Sequence, residues 1–342
     1  MKNLSIKHKI ILILNYFAAL LLFLAFISPY LPVNFIPFLA LNSLVFPFFV
    51  LINILFVVYW LIKLKKYIFI SLLILLLNYN NLQALYQWKG KHPVEPKGFS
   101  LMSYNVRLFN AYHWIKKKGV DVDISNYLKD QNPDILLLQE YQNDPKTDFL
   151  QYPYKHIVLK GKKRKAGLAI FSKFKITDTG NFDFSGTYNN AIWADVIIKN
   201  DTIRVYNTHL QSFKIVNPED LVEQDKIKTG QKLQKVFAQQ AQQANSIQKQ
   251  IEKIKKPVIV AGDFNNTAFS APYRILKQNK IDAFTDAGEG FGMTWQYKWL
   301  PLRIDFILID PSGLEVKQFE TLNFIKYSDH FPIKSLLRLK EK

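Results

Sequence analysis

Six short segments spread over the last 240 or so residues carry side chains suited to one kind of chemistry. They are Ser103-Tyr104-Asn105-Val106-Arg107, Gln139-Glu140, Asn207-Thr208-His209-Leu210, Gly262-Asp263-Phe264-Asn265-Asn266, Arg303-Ile304-Asp305-Phe306 and Ser328-Asp329-His330-Phe331-Pro332. Each adjoins an apolar run of β type. Each supplies a group that binds a hard cation, accepts a proton or touches a phosphate oxygen. The chain has no cysteine, which excludes disulfides, thiolate zinc sites and a cysteine nucleophile. Carboxylates, amides and histidines in this number suit metal-assisted phosphoester hydrolysis.

The elements that must position these groups are legible as alternating or wholly apolar runs. Strands are expected over 99–107, 134–140, 156–160, 167–174, 191–199, 202–210, 257–264, 303–309, 316–321 and 332–339. Helices are expected over 123–131 and 233–254, the second from apolar residues at spacings of three and four. Most candidate residues sit at strand ends. The mixture predicts an α/β fold, with two mixed sheets facing each other inside layers of helix.

The order Asn…Glu…His…Asp-x-Asn…Asp…Asp-His on strand ends resembles the endonuclease/exonuclease/phosphatase superfamily, the deoxyribonuclease-I-like fold. The resemblance covers about residues 97–342 and is strongest with a membrane-anchored bacterial branch. It implies a four-layer α-β-β-α sandwich and a Mg²⁺ cofactor, with Mn²⁺ as a possible substitute. Glu140 ends an apolar strand, where an unpaired carboxylate is costly and a hard cation would satisfy it. Asn105 and Asp329 join it as candidate metal ligands. By the same resemblance Asp263 orients or deprotonates the attacking water, and Asn265 holds that water or a phosphate oxygen. The family often has Asp at the position of Asn266. His330 is the proton-transfer group, fixed by Asp305, and His209 donates to non-bridging oxygens. No carboxylate partner for His209 is found between Lys160 and Gly167. Asn207 and Arg303 are candidate substrate contacts, Arg303 through a bidentate guanidinium.

Composition divides the chain. Residues 1–88 hold six lysines and no acidic residue, whereas the remainder holds 39 basic and 27 acidic residues. An excess of positive charge favours an anionic partner. Long apolar runs predict membrane spans over about 10–31, 38–62 and 67–87, a linker over 89–98, and a hydrolase domain over 99–342. Lys2, Lys7 and Lys9 precede the first span, and Lys63, Lys65 and Lys66 follow the second. Both clusters are therefore expected in the cytoplasm, with the domain outside. The absence of acidic residues and arginine from the spans favours an anchor over a transport path.

The expected partners are a lipid bilayer and a phosphodiester substrate, either nucleic acid or a phospholipid headgroup. No protein partner is inferable. Proximity to the bilayer favours a headgroup. The aromatic stretch 294–301 suits base stacking or an interface, and the mixed charge of 214–231 makes a poor phosphate groove. The alternative is a catalytically inactive module that binds an anionic ligand on the same fold. Intact Glu140, Asp263, Asp305 and His330 weigh against it.

Overall fold

The structure, a computed structural model, describes residues 5–31, 41–92, 97–143, 149–161, 165–184, 187, 189–213, 226–297 and 300–341. The basic run at 162–164, most of the 214–231 segment and the centre of the 294–301 stretch lie outside the described residues. The chain divides into two compact units. One comprises Met1–Leu85, Ile215–Ala238 and Asn266–Arg274; the other comprises Tyr86–Lys214, Gln239–Asn265 and Ile275–Lys342.

In the first unit α1 (Ile6–Ile27) and α2 (Asn42–Ile62) are each long and apolar enough to cross a membrane. α3 (Ile68–Leu77) and α4 (Tyr79–Leu85) are joined by a 72° bend, so they make a third span only if the bent pair counts as one. The bend falls at Asn78, whose Nδ2 donates to the Ile74 carbonyl at 2.9 Å. Outward-facing side chains such as Ile13, Phe17, Leu55 and Leu73 are exposed, as lipid-facing residues are. The inward face carries a polar thread instead. Asn15 donates to Ser71 (2.5 Å), Ser71 to Asn53 (2.9 Å), and Trp60 Nε1 to Asn15 (2.9 Å). Such bonds tie helices together where the hydrophobic effect supplies no drive. The segment Asn266–Arg274 belongs to this unit. Thr267 Oγ1 donates to the Ser43 carbonyl (2.9 Å), Phe269 stacks on Phe46 at 4.0 Å, and Arg274 Nε donates to the Pro29 carbonyl (2.8 Å).

The remaining elements, in chain order, are β1 (Phe99–Asn105), α5 (Val120–Gln131), β2 (Ile135–Tyr141), β3 (Tyr154–Lys160), β4 (Ala166–Ser172), β5 (Ile176–Phe182), β6 (Asn190–Ile198), β7 (Asp201–His209), α6 (Lys226–Ile251), β8 (Val258–Asp263), α7 (Ala271–Lys277), β9 (Ile281–Asp282), α8 (Ala283–Ala287), β10 (Trp295–Tyr297), β11 (Leu300–Leu302), β12 (Asp305–Ile309), β13 (Leu314–Thr321) and β14 (Ile333–Leu339). Two six-stranded sheets form, in the orders β13-β14-β1-β2-β4-β3 and β5-β6-β7-β8-β12-β9. Each is antiparallel except for one central parallel pair, β1 with β2 and β7 with β8. Parallel neighbours need a crossover, and α5 and α6 supply them.

Alternation along the strands explains the layers. Leu101, Ile135, Leu137 and Ile170 of one sheet meet Ile192, Val205, Ile259 and Ile307 of the other. Their neighbours Met102, Leu136 and Leu138 face the opposite way, under Ile124 and Leu128 of α5. Strands buried on both faces read as continuous apolar runs. Each such side chain contributes about 2 kcal/mol by leaving water. On the far face of the second sheet Tyr206 donates to Gln250 of α6 at 2.9 Å. The result is the expected four-layer α/β sandwich.

Candidate active site

Both parallel pairs run toward the site. β1 ends at Asn105, β2 carries Glu140 in its last turnable position, β7 ends at His209 and β8 at Asp263. Register then aligns three groups. His209 lies opposite Asp263 across the parallel pair, and Asp305, the first residue of β12, lies opposite Asp263 on its other side. Backbone irregularities aim two more. Pairing of β2 with β4 shifts between Leu138 and Tyr141, and Glu140 within that bulge has φ of 52°. β8 does not continue to Asn265, as simple alternation would require. It stops at Asp263, whose Oδ1 accepts the Asn265 backbone N–H at 2.7 Å in an Asx turn. Asn265, with φ of 50°, is brought back beside Asp263 by that turn.

Gly262 makes the approach of β7 and β8 possible. Its φ is 130°, and a Cβ there would lie 2.1 Å from the Thr208 carbonyl oxygen. No other residue type fits this position without moving the strand that carries Asp263.

Asp263 is fully buried and well hydrogen-bonded. Its Oδ2 accepts Asn105 Nδ2 at 3.0 Å and Asn265 Nδ2 at 3.2 Å. Burial pushes its pKa above the usual carboxylate range, against the opposing pull of the His330 charge. His330 sits between two carboxylates, with Nδ1 3.0 Å from Asp305 Oδ2 and Nε2 3.7 Å from Asp263 Oδ2. Burial alone would lower its pKa, but the charges of Asp305 and Asp263 outweigh burial and raise it. Both contacts favour the protonated ring. His209 has the opposite fate. Burial, then the neighbouring His330 charge, drives its pKa down to about 3, so it is neutral. Its nearest carboxylates, Asp263 at 3.5 Å and Glu140 at 4.0 Å, are beyond good hydrogen-bond reach. Its Nε2 is buried without a hydrogen-bond partner among the described residues.

Glu140 and Asp329 face a like-charge problem. Burial, then the Asp329 charge, raises the Glu140 pKa, and Asn105 hydrogen-bonds its side chain. Arg107 Nε lies 3.4 Å from Asp329 Oδ1 and offsets part of the repulsion. Two carboxylates are hard-cation donors, and a dication would remove the penalty; Asn105 would have to turn its amide to join them, since its Nδ2 donates to Asp263 and its Oδ1 accepts the Arg107 N–H at 3.0 Å. Among the described residues, Asp263, Asp305 and His330 have ligand atoms within 4.8 Å of one another. A cation there would compete with a His330 proton for the same carboxylates.

Two expected contacts are not brought to this group. Arg303 is buried, with Nη1 2.7 Å from Asp282 Oδ2 and its guanidinium over Phe284 and Phe306. Its ion pair is a packing element of the second sheet. Asn207 is wholly buried and bonds the two sheets, donating to the Leu138 and Ala169 carbonyls and accepting from Gln139. Two supports escaped the sequence reading. Thr294 Oγ1 accepts the backbone N–H groups of Ile304 and Asp305, and Ser328 Oγ donates to the Asn105 carbonyl while accepting the His330 N–H. Ser328 was marked by its motif. Thr294 opens the 294–301 stretch, which was read for its aromatic rings and not for this hydroxyl.

The model of the Endonuclease/Exonuclease/phosphatase family matches residues 102–330, and the chain belongs to that family. A second model, for a domain of unknown function, matches residues 8–85. No curated protein sequence matches the chain. Truncated TDP2 from Caenorhabditis elegans is similar over 72% of this chain and 99% of its own, at 19% identity and a TM-score of 0.54. The human Nocturnin catalytic domain with bound sulfate is similar over 73% and 97%, at 19% and 0.53. An endonuclease/exonuclease/phosphatase from Bacteroides vulgatus is similar over 71% and 100%, at 20% and 0.54. These likenesses establish the fold. Members of the family are generally phosphoric ester hydrolases, and many use divalent metals.

Proposed function

We propose that the protein is a membrane-anchored, Mg²⁺-dependent phosphodiesterase whose site is built from Asn105, Glu140, His209, Asp263, Asn265, Asp305, Asp329 and His330. The observation that carries this reading is the convergence of two histidines on one buried carboxylate: His209 Nε2 lies 3.5 Å and His330 Nε2 3.7 Å from Asp263 Oδ2, and Asp305 Oδ2 lies 3.0 Å from His330 Nδ1. Asp263, once ionised, takes a proton from the attacking water. Asn265 and Asn105 orient Asp263 through their amide groups. His330, held protonated by Asp305, neutralises charge that builds on the phosphoryl oxygens. His209 offers a neutral ring, whose unpartnered Nε2 is a contact for a phosphate oxygen or the leaving group. Glu140, Asp329 and Asn105 would hold the cation, with Mn²⁺ able to substitute. When bound, it supplies charge neutralisation at a phosphoryl oxygen and at the departing alkoxide.

Anchoring rests on α1 and α2 and on the bent α3–α4 pair. The lysines near the start of α1 and the end of α2 mark one end of this bundle as cytoplasmic. Asn266–Arg274 binds the other end, at Pro29 and Ser43. Three spans, counting the bent pair as one, support an extracytoplasmic side for the domain that follows α4. The full chain in detergent should hydrolyse a phosphodiester with Mg²⁺ and lose at least a hundredfold in rate with EDTA or as His330→Ala. Equal rates with and without EDTA would refute the metal assignment. A carboxy-terminal alkaline phosphatase fusion should be active; activity of a cytoplasm-only reporter would refute the topology.

A further inference from the structure

A cavity of about 290 Å³ lies beyond the ends of β1 and β2, and the chemistry above makes no use of it. The loop from β1 to α5 forms most of it, through Asn110, His113, Lys116, Lys117 and Lys118, with Gln142 from beyond the end of β2. Asp121 is the one acid among its lining residues. Lys117 is held by Asp123 at 2.6 Å, while Lys116 and Lys118 are exposed. Two aromatic rings stand beside the lysines in the same loop. Tyr112 and Trp114 are 57% and 44% exposed, with centroids 5.1 Å apart. The Arg107 guanidinium stacks over Trp114 at 4.5 Å and also reaches Asp329. One loop therefore runs from the candidate metal carboxylates to a stacking surface and a basic cavity. Its shape is fixed by an unusual turn: Arg107, Leu108, Phe109 and Asn110 all have φ between 44° and 60°. Consecutive left-handed residues are unfavourable and persist where surrounding contacts demand one shape.

We propose that this loop is a subsite for single-stranded nucleic acid. The cavity lysines take the phosphate next to the one cleaved, and Trp114 stacks on the adjoining base. The assignment rests on the phosphodiesterase reading for which phosphate is cleaved. Exposed aromatics interleaved with lysines track a strand by stacking and charge without reading its sequence. A lipid headgroup offers a phosphate but no planar ring to stack.

The test is fluorescence anisotropy of a labelled oligothymidylate on the full chain in detergent, with His330→Ala in every sample to prevent turnover. Lys116→Ala/Lys118→Ala should weaken binding at least tenfold. It should also lower the slope of log affinity against log salt by about 0.7, the value for one phosphate. Trp114→Ala should weaken binding about tenfold and leave the salt slope unchanged. Lys155→Ala, on an exposed position of β3, should match the parent. Binding within twofold of the parent for both loop variants would overturn the proposal. So would loop variants that keep the oligonucleotide but lose short-chain phosphatidic acid, which would assign the loop to a headgroup. With His330 restored, the loop variants should raise KM for the oligonucleotide and leave bis(p-nitrophenyl) phosphate hydrolysis unchanged. A parent that binds the oligonucleotide but hydrolyses neither compound would defeat the phosphodiesterase reading and leave the binding result to decide the loop.

Discussion

At the scale of single residues, the site is a problem in proton placement. Asp263 must be ionised to accept a proton, and its burial makes that harder. Activity should therefore fall as pH drops toward neutrality, well above the ordinary aspartate range; an acid limb near pH 4 would contradict this. On the proposed mechanism the alkaline limb belongs to His330. Its raised pKa keeps the charged form present through neutral pH and loses it as pH rises through the folded value. Asp305→Asn removes the largest attraction that raises it. The alkaline limb of kcat should then move toward neutrality, and an unmoved limb would show that His330 does not titrate there. Arg303 gives a contrasting case. Arg303→Met takes the guanidinium from buried Asp282, which keeps the Phe284 N–H, and should cost about 3 kcal/mol of stability. Activity per folded molecule should stay within a few-fold. A rise of tenfold or more in KM without a loss of stability would restore Arg303 as a substrate contact.

At the scale of elements, the strand ends aim the chemistry, and small backbone features do the aiming. Gly262→Ala places a Cβ against the Thr208 carbonyl and must part β7 from β8. We expect a drop in unfolding temperature of several degrees and a loss of activity larger than that drop explains, because Asp263 follows directly. Wild-type activity in this variant would mean that the strands part without consequence. Most strands were legible because burial on both faces leaves an apolar run, as in Ile135–Leu138 and Val258–Ala261. β5 was not, since Asp178, Thr179 and Asn181 are exposed on a sheet edge and carry no alternation. β9 to β11 are too short to leave a pattern. The gathering of site residues followed from their order along the chain. The Asx turn at Asp263 and the burial of Arg303 did not, because each depends on a neighbour supplied by a distant strand.

At the scale of the whole molecule, the apolar helices carry more order than an inert tether requires. The thread through Asn15, Asn53, Ser71 and Trp60 fixes which faces of α1, α2 and α3 meet. Asn53→Leu should loosen that bundle by about 1 kcal/mol, seen as a lower unfolding temperature of the full chain in detergent. An unchanged temperature would make the thread incidental. The pairing of β1 with β14 has a different consequence. Phe99 lies beside Leu337, so the central strand of one sheet stays open on one edge until the final strand in chain order has been made. His330 and Asp329 arrive just before that strand. During synthesis the first sheet is thus a template waiting for its last member, slow to close and prone to pair with the wrong partner. On the proposed topology the domain is threaded through a membrane, and there the delay is useful: a polypeptide that cannot finish folding before its last strand emerges also cannot jam the pore as a finished globule, nor assemble the proposed site on the wrong side.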